Sequence, residues 1–173
     1  MNYLGIDKSS ISNGPGVRVV LWVSGCTMHC KGCQNPESWD FDAGKLFNDE
    51  AKHELFNALN KPYIKGITIS GGHPLEANNA VCVYNLIMDI KNKFPSKDIW
   101  LYTGWSLSIH DIAPPYMNKT IYNKIFKLCD VIVDGPYIEM RRDITLKFRG
   151  SKNQRLIDVK ETLKQNKIVT IQN

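Results

Sequence analysis

The stretch from Val17 to Gly25, "VRVVLWVSG", runs directly into Cys26–Cys33, "CTMHCKGC". The first half is a continuous β-branched and aromatic run. Such a run predicts a strand buried on both faces, as parallel strands in α/β sheets are. The second half begins where the loop after that strand must begin, and it spaces three cysteines as C-x3-C-x2-C. The strand that decides the fold therefore ends at the residues that decide the chemistry.

Outward from this strand, helical patterns alternate with short apolar runs. Residues 48–59, "NDEAKHELFNAL", place Ala51, Leu55, Ala58 and Leu59 on one helical face. Asn48 is the expected N-cap, and Asp49 and Glu50 suit the positive start of the helix. "GITIS" (66–70) reads as a strand ending at Gly71-Gly72. Residues 76–94 set Ala80, Val83, Tyr84, Ile87, Ile90 and Phe94 at helical spacing, closed by Pro95. "DIWLYTG" (98–104), "TIYNKIFKLC" (120–129) and "DVIVDG" (130–135) read as strand, helix and strand. Further on, "RLIDVKETL" reads as a helix and "IVTIQ" as a late strand.

The βαβα order predicts an α/β fold with a parallel sheet and right-handed crossovers, in one domain over residues 1–173. Ligands of such sheets lie beyond the carboxyl ends of the strands. Four features are thereby expected at one rim. They are Cys26–Cys33, the turn Gly71-Gly72-His73-Pro74, the pair Thr103-Gly104, and Asp134-Gly135.

A chain of 173 residues with 43% hydrophobic content can bury a substantial core. The start "MNYLGIDKSS" has no apolar leader core, and "VVLWV" is far too short to cross a membrane. A reducing cytoplasm is the expected setting, where cysteines serve metals or catalysis more often than disulfides. The net charge of +5 is concentrated between Glu139 and Lys167, with nine Lys/Arg against four Asp/Glu. That basic segment suits a solvated surface or a docking face for an acidic partner. No RNA- or DNA-reading motif accompanies it, so nucleic acid is not the expected partner.

Three thiolates at this spacing can surround one inorganic core. An iron–sulfur cluster, a Cys3His zinc site using His29 or His73, and unmetallated cysteines all remain open on spacing alone. Three ligands on a four-iron cluster would leave one position open, as catalytic metal sites do. Cys82 and Cys129 lie in apolar helical patterns and read as core thiols. His53 and His110 read as surface residues, Trp22 and Trp100 as strand packing, and Trp39 and Trp105 as bordering the site or a partner surface.

C-x3-C-x2-C resembles the cluster motif of the radical S-adenosylmethionine enzymes. The resemblance is narrower than that superfamily. "NGPGVRVVLWVSGC", "CKGCQNPESW", "TISGGHPL", "IWLYTGW", "VDGPY" and "FRGSKNQRL" follow one another as in the activating proteins of anaerobic ribonucleoside-triphosphate reductases. The likeness covers about residues 11–157. It implies a compact partial (β/α) barrel of the radical S-adenosylmethionine type with a largely parallel sheet.

By that resemblance Cys26, Cys30 and Cys33 ligate a [4Fe-4S] cluster, and S-adenosylmethionine chelates the open iron. Reductive cleavage gives a 5′-deoxyadenosyl radical, which takes hydrogen from a glycine of the reductase catalytic subunit. A flavodoxin-like protein is the implied electron donor. Gly71, Gly72, His73 and Pro74 are expected at the cofactor. Thr103 and Gly104 are expected on its adenosyl side, and Asp134 as an acceptor for ligand hydroxyls. Arg149, Asn153, Gln154 and Arg155 are expected to bind the reductase or close over the site. One position departs from the family, which carries an acid after the glycine pair where this chain has His73. The expectation is that His73 holds the methionine moiety through backbone groups or one ring nitrogen, with Glu76 supplying the missing negative charge. Activation of another glycyl-radical enzyme, a zinc or cluster binding module and a non-catalytic redox sensor are the competing readings.

Overall fold

The computed structural model describes residues 1–109 and 119–172. The chain opens with β1 (Asn2–Ser10) and returns as β2 (Val17–Val23), antiparallel to it. After the cysteine loop come β3 (Lys45–Leu46), α1 (Asp49–Leu59), β4 (Ile64–Gly71), α2 (Ala77–Lys93) and β5 (Asp98–Tyr102). Then follow α3 (Lys119–Leu128), β6 (Val131–Asp134), β7 (Arg155–Asp158) and α4 (Val159–Gln165). Among the described residues the seven strands form one sheet in the order β3-β1-β2-β4-β5-β6-β7. His110 lies outside the described residues.

The four central strands β2, β4, β5 and β6 run parallel, as the βαβα pattern predicts. Both flanks are antiparallel, through β1 with β2 and β3 and through β6 with β7. The sheet is open, with β3 and β7 at separate edges. The sequence reading missed β1, a half-exposed strand without clean alternation. It also joined residues 155–163 into one helix. The segment divides at Asp158, whose side chain accepts from Glu161 N and caps α4. Ahead of that cap, Leu156 and Ile157 point to opposite faces of the sheet, so the period is two there and not 3.6. "IVTIQ" forms only a bridge between Thr170 and Ile157, with Ile171 N donating to Leu156 O.

Neighbouring parallel strands joined by right-handed crossovers send every connecting helix to the same side. Accordingly Val19, Leu21, Ile67, Ile69, Ile99, Leu101 and Ile132 pack against the helices in one large core. Ala51, Leu55, Ala58 and Leu59 of α1 enter that core on the face the sequence predicts. Asn48 caps α1 by accepting from Ala51 N at 3.1 Å. Each fully buried side chain such as Leu55, Leu59 or Ile87 contributes roughly 1.5–3 kcal/mol.

The alternate residues form the opposite face, which loops cover. A small apolar group of Trp100, Val131, Val133 and Leu156 lies there, with Phe148 edge-on to Trp100. Beside it sits Arg18, whose side chain is wholly buried. Its Nε donates to Thr68 Oγ1 at 2.9 Å and its Nη2 to Ile67 O at 2.8 Å. The guanidinium also pairs with Asp98 and lies over the Trp100 ring. A Cβ on Gly14 would stand 2.8 Å from this side chain, so the Gly-Pro-Gly turn has the structural role of closing over Arg18.

Candidate functional site

The strand ends converge as the topology predicts. Cys26, Cys30 and Cys33 line one cavity of about 200 Å³ with Gly71, Gly72, His73, Thr103 and Gly104. All three thiols are free and half-buried. The cysteine loop is tied at its root, because Gly25 N donates to Ser38 O and Cys26 N to Trp39 O. Cys33 N donates to Cys30 O, and Asn35 N donates to Cys33 Sγ at 3.4 Å. Burial pushes the Cys26 thiol above its ordinary range, against the backbone N–H groups of Met28 and His29, which favour the thiolate.

The Gly-Gly turn packs directly on that loop. Gly72 N donates to Val23 O at 2.7 Å and His73 N to Gly25 O at 2.8 Å. Gly71 has φ +105°, and a Cβ there would stand 2.6 Å from Val23 O. A Cβ on Gly72 would stand 2.6 Å from Gly25 O and 2.8 Å from Ser38 O. Glycine is required here first for contact between two backbone segments, a reason the sequence reading did not contain.

His73 is only 1% exposed, and both ring nitrogens are engaged. Nδ1 lies 3.2 Å from Glu76 Oε1 and Nε2 lies 2.7 Å from Thr103 Oγ1. An ionised carboxylate only accepts, so Nδ1 carries the hydrogen, and in the neutral ring Nε2 accepts from the Thr103 hydroxyl. Thr103 Oγ1 in turn accepts from Trp105 N, and the indole of Trp105 meets the imidazole edge-on at 4.5 Å. The expectation that a ring nitrogen of His73 is offered to a ligand does not fit this arrangement.

Glu76 does lie beside His73, but it faces the cysteine loop. Its Oε1 accepts from Thr27 N at 2.9 Å and from Thr27 Oγ1 at 2.6 Å. Burial alone would raise its carboxyl pKa. Hydrogen bonds from His73 and from the Thr27 side chain and backbone outweigh that and hold it at about 2.

Two further expectations land elsewhere. Pro74 is buried behind the turn and does not line the cavity. Asp134 is fully buried, with its carboxylate taken by Arg155 and by Leu107 N at 2.8 Å. It anchors β7 and the loop after β5, leaving no free oxygen for a ligand hydroxyl. Of the C-terminal group, Gln154 reaches the cavity wall. Its Oε1 accepts from Gly150 N and Ser151 N, and its Nε2 donates to Gly135 O. Asn153 donates to Pro136 O, and Arg149 to Gln154 O. These residues fasten residues 136–152 into a strap across one end of the cavity.

The sequence reading missed Ser70, Tyr102 and Tyr137 as lining residues, and it read Trp22 as packing alone. Strand periodicity carries the signal for three of them. Trp22, Ser70 and Tyr102 alternate with core residues, so they face away from the helices. Trp39 borders the cavity as expected, Cys129 lies in the core, and His53 is exposed. Cys82 is half-buried on α2.

The donor set fits an iron–sulfur cluster. Three free thiols face one cavity, and the sulfur of one already accepts a backbone hydrogen bond of the kind that tunes clusters. His73 is not presented as a fourth zinc ligand, since both its ring nitrogens are engaged, while His29 is exposed and stacks on Trp39 at 4.6 Å. Among the described residues no three His, Cys, Asp or Glu side chains converge on a single-ion site. No helix among them is long and apolar enough to cross a membrane.

Comparison with known proteins agrees with this geometry. Residues 12–157 match the family model of the 4Fe-4S single cluster domain. The chain is 42% identical over 156 residues to the anaerobic ribonucleoside-triphosphate reductase-activating protein of Enterobacteria phage T4, covering 90% of this chain and 93% of that one. It is 40% identical over 156 residues to the protein of that name from Haemophilus influenzae, covering 89% and 96%. For the protein of that name from Escherichia coli K12 the figure is 36% over 156 residues, again covering 89% and 96%.

Proposed function

The chain belongs to the anaerobic ribonucleoside-triphosphate reductase-activating proteins, and on that premise we propose that it is a radical S-adenosylmethionine activase that installs a glycyl radical on such a reductase. The observation that carries the reading is that three free thiols and the Gly-Gly turn line one cavity, with the turn hydrogen-bonded through Gly72 N and His73 N to the backbone at Val23 and Gly25, where the cysteine loop begins. When bound, the cluster and S-adenosylmethionine would supply the one-electron reductive cleavage of the sulfonium and the hydrogen-atom abstraction from the reductase glycine.

This chain's own residues hold, orient and shield. Cys26, Cys30 and Cys33 hold the cluster. Gly71, Gly72 and the main chain at His73 shape the wall beside it, and the His73 and Glu76 side chains keep that wall fixed against Thr103 and Thr27. Thr103 and Gly104 form the wall at the end of β5, the side that this proposal gives to the adenosyl group. Trp22, Ser70 and Tyr102 extend the cavity along the inner face of the sheet. The electron comes from a reduced flavodoxin-like protein.

Anaerobic reconstitution with iron and sulfide tests the reading. About four irons per chain are expected, with loss of the cluster in each of Cys26→Ala, Cys30→Ala and Cys33→Ala and retention in Cys82→Ala. Dithionite should then release 5′-deoxyadenosine from S-adenosylmethionine, and added reductase should show a glycyl-radical EPR signal. Tight binding of one zinc without cleavage would overturn the proposal.

A further inference from the structure

The strap of residues 136–152 forms one rim of the cavity, to which Tyr137 and Gly150 contribute. It reaches the cysteine loop, where Lys31 pairs with Glu139 and a Cβ on Gly32 would stand 3.1 Å from the Glu139 carboxylate. The strap is firmly built. Ser151 Oγ accepts from Ile138 N, Lys152 N donates to Arg141 O, and Tyr102 Oη donates to Phe148 O at 2.6 Å. Phe148 holds φ +62°, a left-handed conformation that a non-glycine residue keeps only when its surroundings enforce it.

On this rigid frame two large apolar side chains point into solvent, Met140 at 98% exposure and Ile144 at 85%. Both acids of the strap are paired, Glu139 with Lys31 and Asp143 with Lys152. Arg141, Arg142 and Lys147 are exposed and have no ion-pair partner among the described residues. The local surface is therefore basic with an apolar centre. Exposed apolar side chains framed by cations, on a backbone already fastened so that the loop need not be ordered on binding, are what an interface core requires.

We infer that this strap is the docking surface for the reductase, taken by an acidic patch that surrounds an apolar hollow for Met140 and Ile144. The inference rests on the proposed function, since a glycine that gives up a hydrogen atom in the cavity must be carried by a partner seated against the cavity rim. It assigns the partner contact to Met140, Arg141, Arg142, Ile144 and Lys147. Arg149, Asn153 and Gln154 are the strap's fasteners, and Arg155 is taken up with Asp134 and the Leu107 carbonyl.

The test uses the full chain, reconstituted anaerobically, and the reductase catalytic subunit. Binding is measured at two salt concentrations for wild type, Met140→Ser/Ile144→Ser and Arg141→Glu/Arg142→Glu. Each double variant should bind about tenfold more weakly or worse, and the charge reversal should also flatten the salt dependence. Iron content and 5′-deoxyadenosine release without reductase should be unchanged. Affinities within about twofold of wild type for both variants, with an unchanged salt slope, would overturn the docking assignment while leaving the activase reading intact. Absence of both binding and a glycyl-radical signal with the wild-type chain would overturn the two together.

Discussion

Glu76 Oε1 lies 3.2 Å from His73 Nδ1 and also accepts both the amide and the hydroxyl of Thr27. One buried carboxylate thus ties the turn after β4 to the cysteine loop. Because both the turn and the loop border the cavity, the geometry of the three-cysteine cavity depends on a side chain outside its wall.

The pH dependence of folding follows from this tie. The Glu76 carboxyl is held at about 2 against an ordinary 4.5, so its contribution is fully present above about pH 4.5 and is lost as pH falls towards 2. The contribution is on the order of 1–3 kcal/mol, allowing for water near the rim. Urea unfolding of the metal-free chain should show Glu76→Gln weakened at pH 7, with the gap to wild type closing as the pH is lowered towards 2. A gap that is constant with pH would refute the charge role.

His73→Asp should be more disruptive than His73→Asn. The new carboxylate would stand beside Glu76, and two buried like charges cannot both ionise cheaply. The double variant His73→Asp/Glu76→Gln should recover at least about 1 kcal/mol relative to additivity, read from a denaturation cycle. Strict additivity would mean that the two side chains do not interact.

Much of the fold was legible because it rests on local periodicity. The run at 17–23, the cap at Asn48 and the stripe on α2 each show their burial pattern in a single window. What was hidden depends on distant partners. β1 has a meaningful register only against β2, and β7 only against β6. Asp134 looked like a ligand-binding strand end because its partner Arg155 lies 21 residues away in sequence. His73 looked like a missing acid because its bond to Glu76 joins side chains whose orientation only the folded turn sets.

Arg18→Met should destabilise the chain by about 3–5 kcal/mol. The substitution leaves Asp98 without its cation and removes the donors from Thr68 and from the carbonyl of Ile67. Chemical denaturation at neutral pH measures this directly, and a loss below about 1 kcal/mol would contradict the buried-pair account.

Gln154→Ala should loosen the strap selectively. Gly150 N and Ser151 N lose a shared acceptor, so amides in residues 136–152 should exchange about tenfold faster or more. The core strands β2 and β4 should keep wild-type protection. Uniform acceleration across the sheet would instead mean that Gln154 supports global stability.

Among the described residues the helices lie on one side of the sheet, and the other side is closed by loops. A wall of this kind insulates from one direction. A reactive species on the inner face is sheltered from water and from stray hydrogen donors only once a second body completes the vessel. On the proposed activase reading, such a half-vessel left alone would consume reductant and cofactor without delivering a radical, so the timing of assembly and not the chemistry itself becomes the natural point of control.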